Sequence, residues 1–175
     1  MNFYKYEGQF RKGVMEGVGK ETWPDGAVFI GNFVNGKKNG FGFNKWSDGQ
    51  NYTGNYKDGL LEGFGHYVFS DGREYTGEWK NQKIYGFGVY NYPDGRRYEG
   101  FYKLDKKHGF GIFTGAEGSS YSGAFFEGKQ HGYGCQYTDP TGALKYGLYY
   151  KGKRILKCSA EYATVIQDGA EIDPN

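Results

Sequence analysis

Residues 52–72 read Tyr52-Thr53-Gly54-Asn55-Tyr56-Lys57-Asp58-Gly59-Leu60-Leu61-Glu62-Gly63-Phe64-Gly65-His66-Tyr67-Val68-Phe69-Ser70-Asp71-Gly72. Tyr52, Gly54 and Tyr56 alternate. Successive side chains of a strand point to opposite faces, so these three share one face. Asp58-Gly59 is a turn signal. Residues 63–69 form a second strand rich in aromatic and branched side chains, and Ser70-Asp71-Gly72 turns the chain again. The stretch is one β-hairpin with a turn at each end.

Outward from this hairpin the same letters recur every 23 residues. One column reads Tyr6, Phe29, Tyr52, Tyr75, Tyr98, Tyr121, and two residues on it reads Gly8, Gly31, Gly54, Gly77, Gly100, Gly123. Two further on stand Phe10, Phe33, Tyr56, Trp79, Tyr102 and Phe125. Each row then carries a Gly-x-Gly: Gly17-Val18-Gly19, Gly40-Phe41-Gly42, Gly63-Phe64-Gly65, Gly86-Phe87-Gly88, Gly109-Phe110-Gly111 and Gly132-Tyr133-Gly134. Four rows close on Asp25-Gly26, Asp48-Gly49, Asp71-Gly72 and Asp94-Gly95. The fifth has Glu117-Gly118, and the sixth reaches Gly142 through Asp139-Pro140-Thr141. Six full rows run from 6 to 144, with a partial row over 145–152.

One hairpin per row predicts an all-β fold: a single-layer, elongated, curved antiparallel sheet of twelve strands plus a partial hairpin, roughly 60 Å long at about 4.8 Å per strand. Glycine inside a strand marks close approach of another group. Here the missing Cβ is expected to let Tyr, Phe and Trp rings lie flat and stack on the rings of the next row. Constant turns should give a concave, aromatic-lined groove. Residues 1–158 read as the repeat domain and 159–175 as a short helix with an acidic tail. Ser159 would be the N-cap and Gly169 the stop.

Composition narrows the classes. Of 175 residues 32 are Gly and only 4 are Pro, which excludes collagen. Aromatics at 20% exclude a disordered polar chain. A net charge of +2 gives no footprint for nucleic acid. No apolar run approaches a membrane span, and no signal peptide opens the chain. Two cysteines, Cys135 and Cys158, make no disulfide framework, so a reducing, cytoplasmic setting is expected.

No chemistry stands out. His108 and His131 precede Gly-x-Gly in successive rows, but their column also holds Glu16, Asn39, Glu62 and Tyr85. Equivalent positions lie about 9–10 Å apart, too far for a shared metal. The glycine pairs lack the helix start that a phosphate loop needs. No acidic pair or Ser/His/Asp set recurs at a cleft, so neither an enzyme, a metal nor a cofactor is expected.

The row pattern resembles the MORN repeat (membrane occupation and recognition nexus), with consensus Tyr-x-Gly-x-Trp-x-x-Gly-x-x-x-Gly-x-Gly and a later Asp-Gly. It covers roughly residues 4–152. The resemblance implies a scaffold or adaptor in cytoskeletal, membrane-apposed or ciliary structures, and phospholipid binding has been proposed for the family. Gln82 and Asp105 depart from the glycine seen at Gly36, Gly59 and Gly128, and the row from 98 to 120 lacks its Asp, which leaves the turn geometry near 82–85 and 103–107 open but not the fold. Gly147-Leu148-Tyr149 and Lys157-Cys158-Ser159-Ala160 are also similar to the end of a small adaptor of this family that binds class III myosin tails.

The leading expectation is therefore a non-enzymatic adaptor that captures a partner segment in the aromatic groove. Its contact residues would be Tyr52, Tyr56, Tyr75, Trp79, Tyr98 and Tyr102, with Phe64 and Phe87. The alternative to contact is that these rings only pack against each other. A second reading is a peripheral binder of acidic phospholipid through Lys151, Lys153, Arg154 and Lys157, opposed by the acidic Glu161, Asp168, Glu171 and Asp173. A third is self-association through exposed sheet edges, giving a homodimer or rod.

Overall fold

The computed structural model describes residues 3–138 and 142–159. Among them every regular element is a strand. These are β1 (Lys5–Arg11), β2 (Val14–Thr22), β3 (Val28–Val34), β4 (Lys37–Lys45), β5 (Asn51–Lys57), β6 (Leu60–Val68) and β7 (Glu74–Lys80). Then follow β8 (Lys83–Asn91), β9 (Arg97–Lys103), β10 (Lys106–Thr114), β11 (Ser120–Phe126), β12 (Lys129–Thr138), β13 (Ala143–Tyr150) and β14 (Lys153–Cys158). The fourteen strands form one open antiparallel sheet in sequence order. The helix expected from Ser159 to Gly169 lies, beyond Ser159, outside the described residues, as does the turn at 139–141. By contact density the chain divides into Met1–Pro93 with Lys103–Asp105, and Asp94–Tyr102 with Lys106–Asn175.

Two kinds of turn alternate. The tight one joins β5 to β6 through Asp58 and Gly59, both at positive φ (51° and 87°). This is the two-residue hairpin turn whose twist matches the flanking strands. The N–H of its second residue donates to the row before it: Gly59 to the Lys38 carbonyl at 2.8 Å, Gln82 to Leu61 at 3.0 Å, and Asp105 to Ile84 at 3.0 Å. Gln82 and Asp105 therefore keep the geometry of their glycine counterparts, at φ 64° and 66°. The turn geometry left open there is thus the ordinary one of the repeat. The backbone bond to the preceding row fixes the turn, and the side chain bears the left-handed backbone. Asp105 is helped further, because its carboxylate accepts the Ile84 N–H at 2.9 Å and pairs with Lys83 at 2.8 Å.

The wider turn spans Trp23 to Ala27. Trp23 N–H donates to the Ala27 carbonyl at 2.9 Å, and Gly26 N–H to the Trp23 carbonyl at 3.0 Å. The Asp25 carboxylate accepts the Ala27 N–H at 3.0 Å. The arrangement repeats at Asp48 with Gln50 and at Asp71 with Arg73. The row lacking the Asp still closes, with Gly115 donating to Ser119 at 2.7 Å and Gly118 to Gly115 at 3.1 Å. The carboxylate supports this turn without being required for it.

The two glycines of each Gly-x-Gly do different work. Gly63, at φ 76°, sits in a bulge where one residue of β5, Asn55, faces three of β6. Gly65 has ordinary φ but no room: any Cβ there would stand closer than 3.0 Å to the Tyr52 ring. It pairs directly with Gly54, whose Cβ would meet Gly65 Cα at 2.5 Å. The ring of Tyr52 lies across this bare patch, and its hydroxyl donates to the Asn55 carbonyl at 3.1 Å. Tyr75, Tyr98 and Tyr121 do the same with the carbonyls of Glu78, Phe101 and Ala124.

The rings lie on glycine as expected, but they do not stack face to face. Tyr52 meets Tyr56 at 5.3 Å and 89°, and Trp79 of the next row at 5.7 Å and 88°. Phe29 with Tyr56, Tyr98 with Phe125, and Tyr121 with Phe125 are likewise edge-to-face. A ring pressed flat on the backbone has one face occupied, so its neighbours approach at right angles, an arrangement the aromatic quadrupole favours. The result is a core within one layer of sheet, in which Tyr52, Tyr75 and Tyr98 are 0% exposed.

Candidate functional site

The residues expected to contact a partner separate into two groups. Tyr52, Tyr56, Tyr75, Trp79, Tyr98 and Tyr102 are buried in the aromatic core. Their rings are packed by neighbours in their own and adjacent rows. Phe64 and Phe87 stand on the opposite face, 59% and 43% exposed. The difference follows from strand parity: Tyr52, Gly54 and Tyr56 point to one side together with the partners Gly65 and Leu61, and Phe64, next to Gly65, points to the other.

Within the unit containing β1–β8, Phe64 and Phe87 belong to a line of side chains crossing the strands. Val18 pairs with Asn32. The Asn32 amide donates to the Phe41 carbonyl at 3.1 Å. Phe41 pairs with Asn55, whose amide donates to the Phe64 carbonyl at 3.1 Å. Phe64 pairs with Glu78, and the Phe87 N–H donates to the Glu78 carboxylate at 3.0 Å. Apolar and polar side chains thus alternate strand by strand from Val18 to Phe87. Val18 and Phe41 are 58% and 59% exposed. Ile30 and Phe43, a directly opposed pair, extend the apolar surface beside this line. The sequence pattern held this signal in the middle residue of each Gly-x-Gly, yet the regular Tyr column drew the reading instead. His66 lies on the same face, with Nδ1 2.7 Å from the Thr76 hydroxyl and Nε2 4.0 Å from Glu74.

In the other unit, a concave space of about 1130 Å³ is lined by Phe110, Phe126, Tyr133, Leu148, Tyr150 and Ile155 among others. His108, Phe126, His131 and Tyr150 run along it as a ladder of tilted rings, with centroids 5.4, 5.5 and 5.4 Å apart. The two histidines are thus separated by a phenylalanine ring. Among the described residues no cluster of His, Cys, Asp and Glu could hold a metal ion. Cys135 and Cys158 are both free thiols, each partly buried and paired in register with Tyr146 from either side.

The four basic residues expected to meet lipid all lie on the last described hairpin, in differing settings. Arg154 lays its aliphatic chain over Gly147, in the place that a tyrosine ring takes in earlier rows. Lys151 occupies the left-handed turn position, with Nζ 5.2 Å from the Tyr150 ring centre. Lys153 and Lys157 are exposed on β14. Among the described residues no helix is long and apolar enough to cross a membrane.

Two lysines penetrate the aromatic face instead. Lys38 Nζ lies 4.3 Å from the Phe29 ring and 4.7 Å from Trp23, and also bonds the Asn44 side chain at 3.2 Å. Lys107 Nζ lies 4.7 Å from Tyr98 and 4.5 Å from Phe113. In the repeat they stand where other rows place Leu61 and Ile84. Their stems fill the apolar position and their ammonium groups rest on ring faces. Burial pulls Lys107 down to about 8 and lowers Lys38 as well, where Glu21 at 3.7 Å works against the shift. Burial likewise pushes Tyr52 up to about 12, and raises Tyr56, Tyr75, Tyr98 and Tyr121.

The chain matches the MORN repeat family at residues 6–28, 29–50, 52–72, 75–96, 98–120 and 121–142. A search of curated proteins returned no match. Among solved structures, it is similar to the TCP domain of Drosophila melanogaster SAS-4 (dCPAP) in complex with a proline-rich motif of Ana2 (dSTIL). The TM-score is 0.52 at 11% identity, over 83% of this chain and 77% of that one. The TCP10c domain of Drosophila melanogaster Sas-4 aligns at TM-score 0.48 and 12% identity, over 83% of this chain and 86% of that one. At these identities the likeness concerns the fold alone.

Proposed function

Since the chain belongs to the MORN repeat family, we propose that it is a non-enzymatic scaffold that captures a segment of a partner protein on the face carrying Phe41, Phe64 and Phe87. The observation that supports this is the alternation described above: large exposed rings at the same position of successive rows, on the side of the sheet away from its core. A sheet whose packing is satisfied on one face has no stability reason to expose phenylalanine at regular intervals on the other, and contiguous exposed apolar surface marks interaction sites. The buried Tyr52, Tyr75 and Trp79 then serve as the rigid bed behind the contact residues. The SAS-4 domain, which shares the open-sheet fold, is seen with a peptide of a partner protein. The cytoskeletal setting rests on the family resemblance.

The test is affinity capture with the whole protein and with a Phe41→Ser, Phe64→Ser, Phe87→Ser variant, both quantified by mass spectrometry. These three side chains are exposed, so the variant should keep its far-UV dichroism while losing its partner. An unchanged set of captured proteins removes this face as the binding site. Trp79→Ala is a poor substitute, since truncating a buried Trp costs about 3–5 kcal/mol and confounds binding with folding.

A further inference from the structure

The spacing of the exposed rings carries information about the shape of what they bind. Phe41, Phe64 and Phe87 recur on every second strand, at β4, β6 and β8. Strands in a sheet lie about 4.7–4.9 Å apart, so the rings repeat at about 9.6 Å across the sheet. A ligand lying along this line must present apolar groups at that interval on one side. An extended β-strand repeats a face every two residues, at about 6.7 Å, and residues three apart point oppositely. An α-helix covers about 9.6 Å in roughly 6.4 residues, which leaves successive contacts about 80° apart around its axis. Its heptad repeat of about 10.5 Å overshoots by nearly 1 Å per step. A polyproline II helix turns once in three residues and rises about 9.3 Å, within about 0.3 Å of the ring spacing.

Resting on the scaffold reading above, we infer that the partner segment is a polyproline II helix with an apolar residue at every third position, lying across β4–β8 on Phe41, Phe64 and Phe87. The polar residues between the rings fit the same ligand. A polyproline II backbone has no internal hydrogen bonds, so its carbonyls need donors. Asn32 and Asn55 each spend one amide N–H on the carbonyl of Phe41 or Phe64, and such an amide carries a second N–H for a peptide carbonyl. The line from Val18 to Phe87 has one charge, Glu78, and that carboxylate accepts the Phe87 N–H. It suits an uncharged segment better than an acidic or basic one. Aromatic rings are the usual surface for such segments, because the polyproline II conformation is already ordered before it docks.

The experiment is calorimetric titration of the full-length protein with three synthetic peptides of equal length. The first repeats Pro-Leu-Pro four times. The second has the same composition with the leucines set at intervals of one and five. The third is an amphipathic heptad helix. The expected result is binding of the first peptide, about tenfold weaker binding of the other two, and about a tenfold loss of the first with Phe64→Ser. Equal binding of the permuted or helical peptide, with the same dependence on Phe64, overturns the period-three ligand and leaves the scaffold reading standing. Binding of the first peptide that ignores Phe64→Ser overturns the site, as does no measurable heat at about millimolar peptide. Failure of the scaffold reading itself shows separately, in the capture experiment with the triple variant.

Discussion

The ring of Tyr52 occupies the space that a side chain on Gly65 would need: a Cβ built there stands closer than 3.0 Å to the phenol oxygen and two ring carbons. Since Gly65 has no left-handed backbone, its requirement is purely steric. Gly65→Ala is expected to destabilise the protein by about 2–3 kcal/mol, at the upper end for overpacking. Tyr52→Leu should be costly alone, yet the double variant should cost clearly less than the sum, because removing the ring removes the clash. Denaturant midpoints of the four proteins check this, and simple additivity would show that the ring and the glycine are not coupled.

Tyr52 and Tyr56 sit four residues apart in one strand, and their hydroxyls have opposite fates. The Tyr52 hydroxyl donates to the Asn55 carbonyl at 3.1 Å, whereas that of Tyr56 is buried with no partner among the described residues. Tyr52→Phe should therefore cost about 1 kcal/mol, while Tyr56→Phe should be neutral or stabilising by about 1 kcal/mol, because it removes an unsatisfied buried group. The repeat already tolerates the second change, with Phe33 and Phe125 in the same column. Thermal unfolding of the two variants, in opposite directions, is the measurement.

The turns at Gln82 and Asp105 respond differently to glycine. Gln82 at φ 64° bears the left-handed strain, so Gln82→Gly should gain about 1 kcal/mol. Asp105→Gly relieves a similar strain but gives up the bond to the Ile84 N–H and the pairing with Lys83. It should lose about 0.5–1 kcal/mol net, because hydrogen bonds to charged groups are worth more than the strain on an Asp that tolerates this conformation well. Chemical denaturation of both variants tests the contrast.

Lys107 makes stability depend on alkaline pH. Its folded value, about 8, lies below the unfolded value of about 10.4, so the folded state binds fewer protons in that interval. Stability from this group is lowest below about pH 8 and rises as pH climbs toward about 10.4. Burial is the main cause of the depression, and the Arg96 charge adds to it. Lys107→Met should be more stable than the parent at pH 7, and the difference should shrink as pH rises through this window. A difference that stays constant from pH 7 to 10 would show that Lys107 titrates normally. The buried tyrosines act the other way: with folded values raised above about 10, they withdraw stability once the unfolded phenols begin to ionise.

The hairpin period, the strand count and the antiparallel sheet were all legible from the columns at Tyr52, Gly54 and Gly65. These positions respond to backbone geometry that repeats identically in each row. The turns at Gln82 and Asp105 were not legible, because the bond holding Gln82 N–H to the Leu61 carbonyl joins residues 21 apart in sequence and involves no side chain. Of the side chains expected to meet a partner, Phe64 and Phe87 are exposed and the tyrosines and Trp79 are buried. Periodicity assigns a residue to one face of a strand; which face the rings close over is decided by neighbours in other rows.

By itself, then, the sequence determined the repeating unit, because glycine spacing, strand alternation and turn residues act within a few residues of each other. Only the tertiary structure decided that the Tyr and Trp rings close edge-to-face into a core within one layer, which leaves Phe41, Phe64 and Phe87 exposed on the other side. The physical reason is that ring burial is settled by the rings of neighbouring rows, which lie two strands away. That closure is not written in the letters of any single row.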